Sequence, residues 1–197
     1  GVYLGVKAAA KRALGSEDVK GMHIAIQGVG SVGGGLARYL ASEGAKLTLA
    51  DVNESRAAAL AAELGAETAP TEAIMAVEAD IFSPCALGAI LTEASVASLR
   101  VKAVAGGANN QLATAAQGRQ LADRGIVYAP DYVINAGGII NVLRHIDQAD
   151  DAAINARISQ RTRSFDNKEL EHRLQAAGVP AAALAHQQEM HEDEHLQ

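Results

Sequence analysis

Tryptophan is absent from this chain, phenylalanine occurs twice and tyrosine four times. A core without large rings must be built from aliphatic side chains and alanine, which suits helices laid on a parallel sheet. Cysteine occurs once, at Cys85, which excludes an internal disulfide and a cysteine-built metal centre. Cations are sparse: 17 Lys and Arg against 23 Asp and Glu leave a formal net charge of −6, with no basic cluster. Nucleic acid and anionic membranes are therefore poor candidates for main partners. No apolar run approaches the roughly 18 residues of a membrane span, and Gly1-Val2-Tyr3-Leu4 lacks the basic start and apolar centre of a signal peptide. The expectation is a soluble, cytoplasmic protein.

What is present is enough for one good core and a small appendage: 197 residues, 49% of them hydrophobic. Val2, Val6, Ala9, Ala10 and Ala13 stand at helical spacing and predict a helix ending at Gly15. Strands are expected at about 22–27, 46–50, 66–69, 79–83, 101–105 and 126–129. Helices are expected at 31–43, 54–64, 71–77, 92–98 and 114–124. Strands separated by helical segments imply a parallel sheet with crossovers. From about Asp150 the pattern is helical only, so residues 1–148 are expected to form one domain and 149–197 a helical extension.

The run Gly28-Val29-Gly30-Ser31-Val32-Gly33 follows the apolar stretch His23–Gln27 and opens a helix. In such a run the first glycine permits a tight turn, the second leaves room for a pyrophosphate, and the third allows close packing. Free N–H groups and the helix dipole then bind the anion without a lysine or arginine. Asp51 ends the next strand, 23 residues beyond Gly28, close to the ~20 expected of an acid that grips the adenosine ribose. Strand, glycine turn, helix, strand and acid make up a dinucleotide-binding unit, and the acid favours NAD over NADP. Arg56 argues weakly the other way, and Asp51 has a rival reading as the cap of the helix beginning near Glu54. The fold expected is α/β, Rossmann-like and doubly wound: a mostly parallel sheet with helices on both faces, plus C-terminal helices. Other suggestive clusters, at 83–88, 105–110 and 130–138, also fall at carboxyl ends of strands, where ligands of such sheets gather.

Further stretches go past a generic nucleotide fold: Gly1-Val2-Tyr3 with Gly5 and Lys7-Ala8-Ala9, Ser83-Pro84-Cys85-Ala86-Leu87-Gly88, Gly107-Ala108-Asn109-Asn110-Gln111-Leu112, and Tyr128-Ala129-Pro130-Asp131-Tyr132-Val133-Ile134-Asn135-Ala136-Gly137-Gly138. With these the chain resembles the cofactor domain of the glutamate/leucine/phenylalanine/valine dehydrogenase family, closest to the leucine and phenylalanine branch. The resemblance implies reversible, NAD-linked oxidative deamination of an L-amino acid to a 2-oxo acid and ammonia. It also implies a homo-oligomer, and a sheet with one strand reversed. In that family lysines and an aspartate of a separate N-terminal domain handle the substrate. None of Lys7, Lys11, Lys20, Lys46, Lys102 and Lys168 lies in the glycine-rich setting of the catalytic lysine. The chain alone is therefore expected to hold NAD and to carry no catalytic residue. A stand-alone nucleotide-binding or assembly module is the competing expectation.

Carried over by position, Gly28, Val29, Gly30, Ser31, Val32 and Gly33 cradle the pyrophosphate, and Asp51 with Val52 serves the adenosine end. Cys85 and Ala86 line the groove, Asn109 meets the nicotinamide ribose, and Asn135 helps place the carboxamide or the substrate. Duller readings stand beside these: Cys85 as a small apolar filler, Asn109 and Asn110 as turn formers, and Asn135 as the cap of a helix starting at Ala136. The tail His191-Glu192-Asp193-Glu194-His195 satisfies the H-E-x-x-H zinc pattern. It stands in an acidic, polar stretch with no helix after it, so no catalytic metal is expected; adventitious capture by His186, His191 and His195 is the milder alternative.

Overall fold

The computed structural model describes residues 1–135. The expected boundary near residue 148, the helical extension, Gly137-Gly138 and the histidine tail lie outside the described residues. Helix α1 (Val2–Leu14) leads into β1 (His23–Gln27), α2 (Ser31–Ser42), β2 (Lys46–Ala50), α3 (Glu54–Leu64) and β3 (Glu67–Thr68). After a 3₁₀ turn at Ile74–Ala76 come β4 (Ile81–Pro84), α4 (Glu93–Ser98), β5 (Ala103–Ala105), α5 (Ala116–Asp123), β6 (Val127–Ala129) and the short α6 (Asp131–Ile134).

The strands form one six-stranded sheet in the order β3-β2-β1-β4-β5-β6. Every pairing among the described residues is parallel, so the reversed strand expected from the resemblance is not found there. Each crossover returns the chain to the same edge of the sheet, which forces the next strand to run with the last. The order reverses between β1 and β4, and a crevice opens beyond the carboxyl ends of these two strands.

Alternation along the strands builds a core on each face. Ile24, Ile26, Leu47, Leu49 and Ile81 pack with Val6, Ala10, Leu36, Leu40 and Leu60, burying α1, α2 and α3 on one side. Ala25, Phe82 and Val104 pack with Ile74, Val96 and Leu121 under α4 and α5 on the other. Alanines at helix contacts let the helices lie close, which is why few rings are needed.

The expected helix at 71–77 contracts to a single 3₁₀ turn. Ala73 and Ile74 both donate to the Pro70 carbonyl, and Ile74 alone is anchored in the core, too short a segment to hold a helical nucleus. The strand expected at 101–105 is paired only over Ala103–Ala105. Asn53, not Asp51, caps α3: its side chain accepts the Arg56 N–H at 3.0 Å. Asn135 follows α6 as its C-terminal cap, and the helix expected from Ala136 lies outside the described residues. No helix of the described residues is long and apolar enough to cross a membrane.

Candidate functional site

The glycine turn is shaped by contacts on both sides. Gly28 has φ +90°, in the left-handed region, and a Cβ there would lie 2.7 Å from the Ala86 Cβ and 2.9 Å from the Cys85 carbonyl carbon. A Cβ at Gly33 would stand 1.8 Å from the Gly28 carbonyl oxygen and 3.0 Å from the Cys85 Cβ. The third glycine thus lets the start of the helix lie close against its own turn and the β4 loop. Gly30 is different: nothing lies within 4 Å of a Cβ built there. The space above it is open.

Helix α2 begins at this opening. Its first bond from a flanking carbonyl runs from the Gly34 N–H to the Gly30 oxygen at 2.8 Å, so the amides of Ser31, Val32 and Gly33 have no helical carbonyl to bond. These donors and the positive helix end form an anion cradle. No side-chain cap occupies the N-cap position at Gly30. Val32 is 46% exposed, and a Cβ at Gly107 would lie 2.7 Å from its Cγ1, so it meets the β5 loop.

Asp51 is buried at the end of β2. Its Oδ2 accepts the Val29 N–H at 2.8 Å and its Oδ1 the Asn53 N–H at 2.9 Å. A carboxylate has about four acceptor positions, so lone pairs remain. Arg56, the residue that argued for NADP, stands 3.8 Å from Asp51 Oδ2 and more than half exposed. Val52, next along, is 89% exposed, an apolar side chain in the open beside a buried acid.

Cys85 sits where three loops meet. Its Sγ accepts the Gly107 N–H at 3.5 Å and lies 3.6 Å from Ser83 Oγ. Burial pushes its thiol pKa up, opposed by the contacts from Gly107 and Ser83, so it is a protonated packing group and not a nucleophile. Across the crevice, Asn135 Nδ2 donates to the Gly107 carbonyl at 3.2 Å and to Asn109 Oδ1 at 2.9 Å. The backbone carbonyl fixes which way the Asn135 amide faces, and Asn135 then fixes Asn109. Among the described residues, Asn109 Nδ2 and Asn135 Oδ1 are left without a hydrogen-bond partner.

The residues singled out at positions 28–33, 51–52, 85–86, 109 and 135 therefore lie along one crest of touching loops. Other residues support it without having been assigned a part. Gln111 is fully buried, and its Nε2 donates to the Gly106 and Ala108 carbonyls at 2.8 and 3.0 Å, bracing the β5 loop. Asp131 accepts the Asn110 N–H at 2.8 Å, and Tyr128 points its hydroxyl at Asp131. Burial, then the Asp131 charge, pushes the Tyr128 pKa well up, so that hydroxyl stays a donor. A third polar residue in a row, after Asn109 and Asn110 and before Leu112, was the only signal for Gln111. No lysine of the described residues heads toward the crest along a strand: Lys46 opens β2, and Lys102 lines an open hollow of about 600 Å³ with His23 and Asp80 at the amino-terminal ends of the strands. No group of His, Cys, Asp and Glu among the described residues is arranged to hold a metal.

The sequence pattern of the Glutamate/Leucine/Phenylalanine/Valine dehydrogenase family matches residues 48–190. Leucine dehydrogenase of Thermoactinomyces intermedius is 52% identical over 142 residues, covering 72% of this chain and 39% of that enzyme. Phenylalanine dehydrogenase of Bacillus thermotolerans is 45% identical over 147 residues, covering 72% of this chain and 38% of its own length. The crystal structure of L-tryptophan dehydrogenase from Nostoc punctiforme superposes with a TM-score of 0.76 at 38% identity, over 80% of this chain and 48% of that one. The chain thus spans about two fifths of the length of the curated relatives it matches. With a parallel doubly wound sheet, a crest of loops at its switch point and a sequence pattern that fits over more than half its length, the chain belongs to the glutamate/leucine/phenylalanine/valine dehydrogenase family.

Proposed function

We propose that this chain is the NAD-binding domain of an amino acid dehydrogenase, with residues 1–148 as the cofactor domain and 149–197 as its helical extension. The observation that carries the reading is the cradle at Gly30: open space over unpaired helix amides, between loops too tightly packed to admit a side chain at Gly28 or Gly33. A pyrophosphate fits such a site.

Gly28, Val29, Gly30, Ser31, Val32 and Gly33 then hold the pyrophosphate through backbone. Asp51 accepts the ribose hydroxyl protons with the lone pairs that Val29 and Asn53 leave free, and its charge opposes a 2′-phosphate. Val52 offers an apolar edge to the adenine, and Cys85 with Ala86 forms the floor of the groove. Asn109 meets the nicotinamide ribose and Asn135 helps place the carboxamide or the substrate, both without bringing charge to the nicotinamide ring. NAD, when bound, supplies the hydride acceptor for oxidation of the amino acid α-carbon. None of the six lysines lies in the glycine-rich setting of the family's catalytic lysine, so the chain by itself is read as binding cofactor and turning over little or no substrate. The relatives are named for leucine, phenylalanine and tryptophan, which leaves an L-amino acid as the substrate class of the whole enzyme.

Calorimetric titration with NAD and NADP tests this directly. The chain is expected to bind NAD more tightly than NADP. Asp51→Ala should cost NAD about tenfold or more, the scale of hydrogen bonds to a charged acceptor. An unchanged NAD affinity in that variant would remove Asp51 from the ribose site.

A further inference from the structure

Asp131 makes none of the cofactor contacts assigned above, yet it joins the two segments that carry the asparagine pair. Its Oδ2 accepts the Asn110 N–H at 2.8 Å, and its backbone carbonyl accepts the Asn135 N–H, also at 2.8 Å. Asn110 is one of two non-glycine residues of the described chain with positive φ, at 51°. That conformation is unfavourable for an L-residue and persists only where neighbours enforce it. The next peptide toward the amino end carries Asn109, whose Oδ1 is bonded to Asn135 Nδ2. Release of the Asn110 amide frees the turn to relax, and Asn109 moves with it.

We propose that Asp131 is a positioning residue for the nicotinamide end of the cofactor. Its carboxylate latches the β5 loop to α6, and the asparagine pair is thereby preset to receive the nicotinamide and its ribose. The proposal rests on the NAD reading above. It assigns Asp131 an effect on one end of the dinucleotide only, because the Gly28 cradle and Asp51 have no bond to it.

The test compares NAD with ADP, which keeps the adenosine and the pyrophosphate and lacks the nicotinamide and its ribose. Both are titrated calorimetrically into the full chain as wild type, Asp131→Ala and Asp131→Asn. Wild type is expected to prefer NAD. Asp131→Ala should lose NAD affinity by about tenfold, the size of one lost hydrogen bond and the disorder that follows, with ADP unchanged within about twofold. Asp131→Asn, which keeps an acceptor oxygen, should recover most of the loss. Retained ADP binding also shows that the variants are folded. Equal losses for both ligands, or an unchanged preference for NAD in Asp131→Ala, overturn the proposal. So does a wild type that binds the two ligands equally, although the NAD reading survives that result. A wild type that binds neither removes the NAD reading and this proposal with it.

Discussion

A single hydrogen-to-methyl change at Gly33 tests how closely the nucleotide turn is packed. The alanine Cβ would fall 1.8 Å from the Gly28 carbonyl oxygen, a backbone atom that cannot rotate away. Gly33→Ala should therefore destabilise the chain by about 1–3 kcal/mol, as overpacking does, and weaken NAD binding because the amides at 31–33 shift. Gly35→Ala, two residues along the same helix, meets nothing within 4 Å and should be neutral or stabilising by up to about 1 kcal/mol. Urea unfolding of both variants, with calorimetry for NAD, checks the contrast; equal stability in the two would mean the turn is looser than its geometry. At this scale the sequence shows which residues are unusual, since glycine spacing and an acid after a strand are local patterns. It does not show what each touches. Gln111 and Asp131 stood inside recognisable motifs and drew no part, because their bonds go to backbone atoms that no side-chain chemistry advertises.

Helices α1 and α2 are tied by a cluster legible only after they pack. Lys7 Nζ donates to Glu43 Oε2 at 2.8 Å, and the Tyr3 hydroxyl donates to Glu43 Oε1. Lys7 first, then Tyr3, holds the Glu43 pKa below its ordinary 4.5. A depressed folded value means that the contribution is present above about pH 4.5 and is lost as pH falls through the lower folded value. Glu43→Gln should thus flatten the acid limb of the stability curve below that pH and leave the slope between pH 6 and 8 unchanged. Acid titration of the unfolding midpoint reads this, and an unaltered acid limb would show the cluster to be idle in solution. The elements themselves were largely readable: α3 and β2 begin and end where Asn53, Gly65 and the apolar run Leu47–Ala50 put them. Helix α6 was not, since four residues are too few for a period to show, and β5 is shorter than the apolar run 101–105 because only Ala103–Ala105 find partners.

For the molecule as a whole, NAD should raise the melting temperature. At about 100 times Kd, a ligand that binds only the folded state contributes about 2.7 kcal/mol, or about 5–10 °C for a chain of this size. An equal rise with NADP, or none with NAD, would contradict the site. Sequence by itself determined the order of strands and helices, the apolar facing of the sheet and the chemical kind of residue at each strand end, because these depend on neighbours within a few positions. Tertiary structure decided which of those ends meet. Val29 with Asp51 and Asn109 with Asn135 stand 22 and 26 residues apart along the chain. They touch because β1 lies beside β2 and β5 beside β6, which brings those strand ends together. It also decided that none of the described strands is the reversed one that the family resemblance implied, since each strand's direction is settled by the path of its crossover through the packed molecule.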